Sequence, residues 1–419
     1  MSLPASLLAY RTAMAAIEPF APLALTARAR RGREDRARLP ERLGHAGALR
    51  PAGPLAWLHA VSVGEGVSLL PLVERLRRER PEFAILVTTG TRTSAELMSQ
   101  RLPEGAIHQY APVDTPAAVT RFLSHWRPQI GVFVESELWP NLILSARERG
   151  VRLALVSARM TQGSADGWRR TPRAAQAVLG AFELILAQDA ETETRLQSLG
   201  AAVGGRLNLK RIGAPLEADP AEVAAFRAAA GQRPIVLAAS THPGEEALIA
   251  GCAMPGRPLR VIAPRHPDRG DAIAGELALW RFSVARRSLG QGPRPGLDVY
   301  LADRLGEMGL LYRVADVVIV GGGFVETVGG HNPLEAARLG RAVISGPHVD
   351  NHAEVYAEMA AAGAAMIANT PSELGQTVAA LIARPDQAAA MGERALRFAA
   401  AQGETFEAGW RQLAPLLAP

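Results

Sequence analysis

The chain has 419 residues, 48% hydrophobic and 21% charged, with a formal net charge of +5 and a pI near 9.9. That length favours two domains over one core, and the composition excludes disordered and fibrous classes. A single cysteine, Cys252, excludes an internal disulfide and any multi-cysteine metal site, while the positive charge admits an acidic partner such as nucleic acid, anionic lipid or a phosphorylated substrate.

Residues 6–25 are apolar but interrupted by Arg11, Glu18, Pro19 and Pro22, which makes a poor membrane span. Residues 26–50 then carry eight arginines against three acids. No small-residue cleavage site marks a secretory signal. An apolar stretch followed by clustered arginine suits a surface anchor on an anionic leaflet. A helix packed on its own domain, with a solvated basic loop, accounts for the composition equally well. Aromatics are only 5% and never interleave with the basic residues, so no nucleic-acid partner is expected.

From residue 55 short apolar runs alternate with helical patterns. Strands are expected at 55–62, 83–89, 130–136, 152–158 and 183–188, and again at 234–240, 259–265, 298–303, 315–322 and 341–346. Such alternation predicts an α/β protein with parallel sheets covered on both faces. Two runs predict two doubly wound, Rossmann-like domains with a break near 205–220, where "NLKRIGAPLEADP" is polar and proline-bearing. The expected layout is a membrane-associating segment at 1–50, one domain at 51–206, a second at 207–385 and a helical segment at 386–419. Ligands of doubly wound sheets bind beyond the carboxyl ends of the strands, so the site is expected in a cleft between the domains.

Five polar clusters follow these strands. In "HAVSVGEG" (59–66), Ser62 precedes Glu65, and Gly64 and Gly66 flank it in an expected tight turn that presents the carboxylate. Glu65 placed only to favour the positive end of the next helix is the other reading. In "VESELWPN" (134–141), Glu135 and Glu137 end an apolar strand, alternation assigns them to opposite faces, and Trp139–Pro140 form a rigid wall. In "STHPGEE" (240–246), Ser240 and Thr241 are expected to cap a helix with Glu245 and Glu246 in its first turn, which leaves His242 as surplus. In "APRHPDR" (263–269), Pro264 and Arg265 precede His266, and Arg265 offers a fork for a phosphate.

The fifth cluster is "GGGFVETVGGHNPLEAARLG" (321–340). Gly330 and His331 lead to Asn332 as an expected N-cap, with Pro333 at N1, Leu334 next, Glu335 at N3 and Gly340 at the end. A helix start of this kind offers amides to an anion, and Glu335 either closes a capping box or takes ribose hydroxyls. No phosphate-binding P-loop, dinucleotide fingerprint or zinc-protease motif is present.

One further residue stands out. Of 46 basic side chains, 45 are arginine, and Lys210 is the single lysine. A chain so committed to arginine keeps a lysine by chance or because a compact ammonium is needed.

Taken in order, "WLHAVSVGEG", "TTGTRTSAE", "VESELWPNL", "VSARMT", "NLK", "STHPGEE", "PRHPDR", "GEMGLLY" and "GGHNPLEAA" resemble the Kdo transferases, the 3-deoxy-D-manno-octulosonic acid transferases of lipopolysaccharide core assembly. The resemblance covers roughly residues 55–350 and is specific. It implies a GT-B-fold, metal-independent glycosyltransferase with no cofactor. The implied substrates are CMP-Kdo and the tetra-acylated lipid A precursor, used at the cytoplasmic face of the inner membrane. It implies Glu65 as catalytic base and Glu135 and Lys210 as transition-state stabilisers. It further implies CMP contacts at Pro264, Arg265, Leu305, Gly306, Glu307 and Asn332 through Glu335. Two departures stand: Gly323 where the family has serine, and a less apolar N-terminal segment. The remaining readings are another GT-B sugar-nucleotide transferase or an epimerase, and a non-catalytic basic membrane-binding module.

Overall fold

A computed structural model describes residues 3–418. The chain divides into two compact units, Met1–Gly213 with Gly403–Pro419, and Ala214–Gln402. The C-terminal stretch is therefore shared: Pro385–Leu413 is one helix whose residues from Gly403 onward belong to the first unit. There Phe406, Trp410, Leu413, Leu416 and Leu417 bury against Leu184, Leu186 and Leu207.

The first unit holds six parallel strands: β1 Leu55–His59, β2 Ala84–Thr89, β3 Ile107–Tyr110, β4 Ile130–Val134, β5 Arg152–Ala158 and β6 Leu184–Ala187. Their order is β3-β2-β1-β4-β5-β6. The second unit holds β7 Ile235–Thr241, β8 Leu259–Pro264, β9 Val284–Arg286, β10 Val299–Leu301, β11 Val317–Val320, β12 Ala342–Ser345 and β13 Ala365–Ile367. Their order is β13-β12-β11-β7-β8-β10-β9, again parallel throughout. Central strands are buried on both faces, as helix-covered parallel sheets require; every residue of β1, β4, β11 and β12 is buried.

All ten expected strands are present. Three more, β3, β9 and β13, were not expected from the sequence, and each lies in an edge or near-edge position. Edge strands need only one buried face, so "IHQY" and "VAR" lack a continuous apolar run.

In each sheet the strand order reverses beside the unit's first strand, between β1 and β4 and between β7 and β11. This is the topological switch point, where adjacent loops diverge and leave a crevice. A residue with left-handed backbone marks each crevice: Glu135 (φ 57°) after β4 and Ser240 (φ 58°) in β7. The register of β7 on β8 shifts between Ala239 and Thr241, so Ser240 is a bulge; Ser157 (φ 52°) marks a similar shift in β5.

The N-terminal segment forms helices Ala5–Ile17 and Ala21–Arg30, joined by the 3-10 turn Glu18–Phe20. It is fastened to the first unit: Leu7 enters the core, and Tyr10 donates to Asp114 (2.8 Å). Part of the arginine cluster is neutralised by buried acids, through Arg28–Glu34, Arg42–Glu34 and Arg38–Glu41. Leu8, Ile17, Phe20 and Leu23 stay exposed on the same segment. Among the described residues no helix is long and apolar enough to cross a membrane.

Candidate active site

In the first unit, β1 leads into Ser62, the N-cap of the helix Val63–Glu79. The Ser62 hydroxyl accepts from the Glu65 N–H (3.3 Å) and donates to Glu65 Oε1 (3.0 Å). Glu65 Oε2 accepts from the Val61 N–H (2.7 Å) and, at 3.5 Å, from that of Ser62. The helix-start reading of Glu65 holds: the carboxylate caps the helix and is thereby fixed at the end of β1. The tight turn expected around it is not there. Gly64 and Gly66 lie inside the helix's first turn without positive φ. Only Gly66 has a steric role. A Cβ at Gly66 would stand 3.2 Å from Met98 Cε, whereas one at Gly64 would meet nothing within 4 Å.

Glu135 and Glu137 were expected on opposite faces of a strand. Residues two apart on a strand share a face, so that expectation misreads the alternation; in any case β4 ends at Val134 and a left-handed turn follows at Glu135. Both carboxylates are buried, and Glu65 and Glu135 lie close enough to act on Glu137 electrostatically. Burial pushes the Glu137 carboxyl up to about 7; the 2.6 Å bond from Trp139 Nε1–H opposes this, and the two neighbouring glutamates add to it.

Lys210 stands on the turn Leu209–Arg211, held by two backbone donations: Lys210 N–H to Asn208 Oδ1 (3.1 Å) and Leu209 N–H to Ser157 Oγ (3.2 Å). Its ammonium pairs with Glu135 Oε1 at 2.5 Å, with the lysine side chain 46% exposed and the glutamate's 5%. The lone lysine thus joins the carboxylate cluster at the first sheet's switch point. Its compact head reaches a single oxygen and keeps a solvent-facing side.

The second unit has a cavity of about 540 Å³ beyond β7 and β11. Ser240, Arg265, Leu305, Gly306, His331, Asn332 and Glu335 line it, together with Met308 and Tyr312. Pro264, Glu307, Pro333 and Leu334 do not. Pro264 ends β8, Leu334 is in the core, and the Glu307 carboxylate is tied to Arg287 Nε (3.0 Å to both oxygens).

The helix expected from Pro333 to Gly340 is a single turn, Leu334–Ala337. Asn332 Oδ1 accepts from the Leu334 N–H (3.0 Å), yet no capping box closes, because Glu335 turns to the Tyr312 hydroxyl at 3.5 Å. Burial raises the Glu335 carboxyl, with Arg338 and Tyr312 opposing. The glycines fold the loop: Gly322, Gly329 and Gly330 have positive φ, and a Cβ on Gly330 would stand 3.0 Å from Val349 Cα. A Cβ at Gly323, the departure from the family serine, would stand 2.5 Å from Ser345 Oγ, so this chain has no room for a side chain there.

Ser240 and Thr241, expected as helix caps, instead belong to β7; the helix starts at Glu245 after Gly244. Glu245 and Glu246, expected only to favour the helix start, are fully buried staples. Glu245 accepts from three backbone N–H groups, those of His242 (2.9 Å), Gly322 (2.8 Å) and Phe324 (3.0 Å), and so joins two loops at the crevice. Glu246 takes a bidentate Arg269 (2.8 and 3.2 Å) and the Thr241 hydroxyl (2.9 Å). Two adjacent acids in a helix's first turn look like ordinary dipole complements, so no sequence signal separates these roles. Among the described residues no group of three or more His, Cys, Asp or Glu side chains could hold a metal ion.

Two parallel doubly wound units with polar clusters at their switch points make up the GT-B fold. A solved glycosyltransferase from Rickettsia africae shares the fold, with a TM-score of 0.55 over 88% of this chain and 99% of that one at 10% identity. Residues 37–211 match the family described as 3-Deoxy-D-manno-octulosonic-acid transferase (kdotransferase). The 3-deoxy-D-manno-octulosonic acid transferase of Bordetella pertussis is 38% identical over 94% of this chain and 95% of its own length. A probable mitochondrial 3-deoxy-D-manno-octulosonic acid transferase of Arabidopsis thaliana is 35% identical over 90% and 88%. The chain belongs to the 3-deoxy-D-manno-octulosonic acid (Kdo) transferase family, and it is an enzyme, which removes the non-catalytic reading.

The carboxylate cluster sets a testable pH dependence. With the Glu137 carboxyl at about 7 in the fold and 4.5 as its ordinary value, the native state holds the extra proton between those values. Glu137 therefore costs stability as pH rises through that window, on the order of 2 kcal/mol. Glu137→Gln should lose less melting temperature than the parent between pH 5 and pH 8. Parallel pH profiles of the two proteins would remove the buried-acid assignment.

Proposed function

We propose that the enzyme moves Kdo from CMP-Kdo to the lipid A precursor lipid IVA, with inversion, at the cytoplasmic face of the inner membrane. Glu65 carries this reading: a carboxylate fixed by backbone and hydroxyl donors at a switch point, and the family's base by position. In the reaction Glu65 takes the proton of the acceptor hydroxyl. The hydroxyl oxygen then bonds to the anomeric carbon of Kdo as the bond from that carbon to the phosphate oxygen breaks. CMP leaves with the electron pair. A single base with no second nucleophile accounts for inversion. No metal or cofactor is assigned a part.

The second unit's cavity takes the nucleotide. Arg265 supplies a fork for the phosphate, and the Gly306 turn brings backbone close to the ligand. Glu335 and Asn332 offer polar groups to base or ribose. Glu307 acts indirectly by fixing Arg287 and its own loop. Lys210, paired with Glu135, places a mobile positive charge for the developing phosphate and Kdo carboxylate charge.

The N-terminal segment rests on the anionic membrane surface. Exposed Phe20 and Leu23 enter the interface, and the exposed arginines Arg30, Arg31 and Arg33 face lipid phosphates.

Three outcomes test this. Glu65→Gln should bind CMP normally and lose Kdo transfer, read as product mass after incubation with CMP-Kdo and lipid IVA; near-normal turnover removes the base assignment. Lys210→Arg should lower turnover at least roughly tenfold, about 1.4 kcal/mol of barrier, with an unchanged melt; full activity makes the lone lysine an accident. Joint replacement of Phe20 and Leu23 by serine should weaken sedimentation with vesicles containing anionic lipid, while transfer to a water-soluble acceptor analogue continues. Unchanged sedimentation places the membrane contact elsewhere.

A further inference from the structure

Two histidines from different loops of the second unit meet at its switch point. His242 follows β7 and His331 precedes the turn Leu334–Ala337. Their Nε2 atoms stand 2.9 Å apart, and the rings are nearly parallel, at 21°. His331 lines the cavity beside Arg265 and Ser240; His242 does not.

A hydrogen bond between two imidazole nitrogens needs one donor and one acceptor. The pair can therefore be neutral or carry one proton's charge, but two charges break the bond. Which ring donates follows from the surroundings. Burial lowers the His242 ring from its ordinary value, with Glu245 opposing, His266 and Arg269 adding to the fall, and Glu246 opposing more weakly. His331 is surrounded by His242, Arg265, His352 and His266, with no acid among them. Burial, with Arg265 and the neighbouring imidazoles, holds the His331 ring down at about 4. The added proton therefore resides on His242, whose Nε2–H donates to the bare Nε2 of His331. The His331 proton is then on Nδ1.

The orientation of His331 suits this. Its Cδ2 and Nε2 edge faces Gly322, where a Cβ would stand 3.1 and 3.3 Å from those atoms. The Nδ1 edge is the opposite one. The Tyr356 hydroxyl donates to the His331 carbonyl at 3.0 Å and fixes the backbone. Gly322 is required here twice, for its positive φ and for the space the ring occupies.

We propose that His242 and His331 form a proton-linked anion clamp, in which His331 Nδ1–H donates to the nucleotide's phosphate oxygen and His242 takes up one solvent proton as the anion arrives. The inference rests on the nucleotide reading of the cavity. The anion's charge favours a cation behind the donor, and His242 is the ring with acids at its back. His331 acts on the ligand directly; His242 is a positioning residue that sets its tautomer and carries the charge.

The test uses the full chain and the methyl ester of cytidine 5′-monophosphate. This phosphodiester keeps one charge across the pH range, so it contributes no titration of its own. Calorimetric titration from pH 6 to 8, in two buffers of different ionisation enthalpy, reads affinity and proton uptake together. The parent protein should bind more tightly as pH falls, with uptake approaching one proton and a slope of up to about tenfold per pH unit. His242→Gln keeps an N–H donor for His331 Nε2 and has no ring to charge. It should bind with the parent's high-pH affinity and show no proton uptake. His242→Phe, which lacks the donor, should bind more weakly at every pH. Melting curves of both variants confirm folding. Probe binding without proton uptake in the parent, or undiminished uptake in His242→Gln, overturns the clamp and leaves the nucleotide site standing. No binding of the probe at any pH removes the nucleotide site and the clamp together.

Discussion

Parallel strands end together, and at the one place where neighbouring connections leave in opposite directions nothing covers the carboxyl edge. That constraint governs both units. Between β1 and β4 the uncovered edge receives Glu65, Glu135 and Glu137; between β7 and β11 it receives Ser240, His242 and the glycine-rich loop with His331. The chain meets the edge with unusual backbone each time, at Glu135 and at Ser240. A left-handed residue there costs on the order of 1–3 kcal/mol and survives because the flanking strands are fully paired and buried. What this geometry supplies is a sharp change of direction directly after the last paired residue of β4 and within β7.

Buried charge then does the local fixing. Glu245 is wholly buried with three N–H donors, and Glu246 is wholly buried with Arg269 and Thr241. A carboxylate placed in such surroundings without partners would be strongly unfavourable, so its donors cannot leave independently. Two short loops and a glycine-rich one are thereby held as one body around the cavity. Asp303 does similar work farther along, accepting from the Ser288 N–H and hydroxyl and pairing with Arg286.

The fold was readable because central parallel strands are apolar throughout. The runs in β1, β4, β7 and β11 are unmistakable, whereas "IHQY", "VAR" and "AMI" follow no simple pattern because they lie at or near the edges. The candidate site was legible as a set of clusters and less so as geometry. Assigning Glu135 and Glu137 to opposite faces misreads the alternation, since residues two apart share a face on a strand, and the left-handed turn at Glu135 then takes both out of β4. The four-residue helix after Pro333 looked longer because capping chemistry marks where a helix can begin, while tertiary packing decides how far it runs. The staples Glu245 and Glu246 were hidden since their partners are backbone amides and an arginine more than twenty residues away, distances that short-range patterns do not register.

The two clusters shift their proton equilibria by the same cause, with opposite charge consequences. Desolvation penalises whichever form is charged, so it raises Glu137 toward neutrality of pH and lowers His331 well beneath it. At neutral pH His331 is thereby uncharged and Glu137 only about half ionised, where an ordinary glutamate would be fully ionised and an ordinary histidine partly protonated. In the first unit this limits the like-charge repulsion among three glutamates and leaves Lys210 as the counter-charge of Glu135. In the second it keeps a neutral imidazole beside Arg265, close to His266 and His352. Each cluster therefore carries less net charge than its inventory of side chains implies.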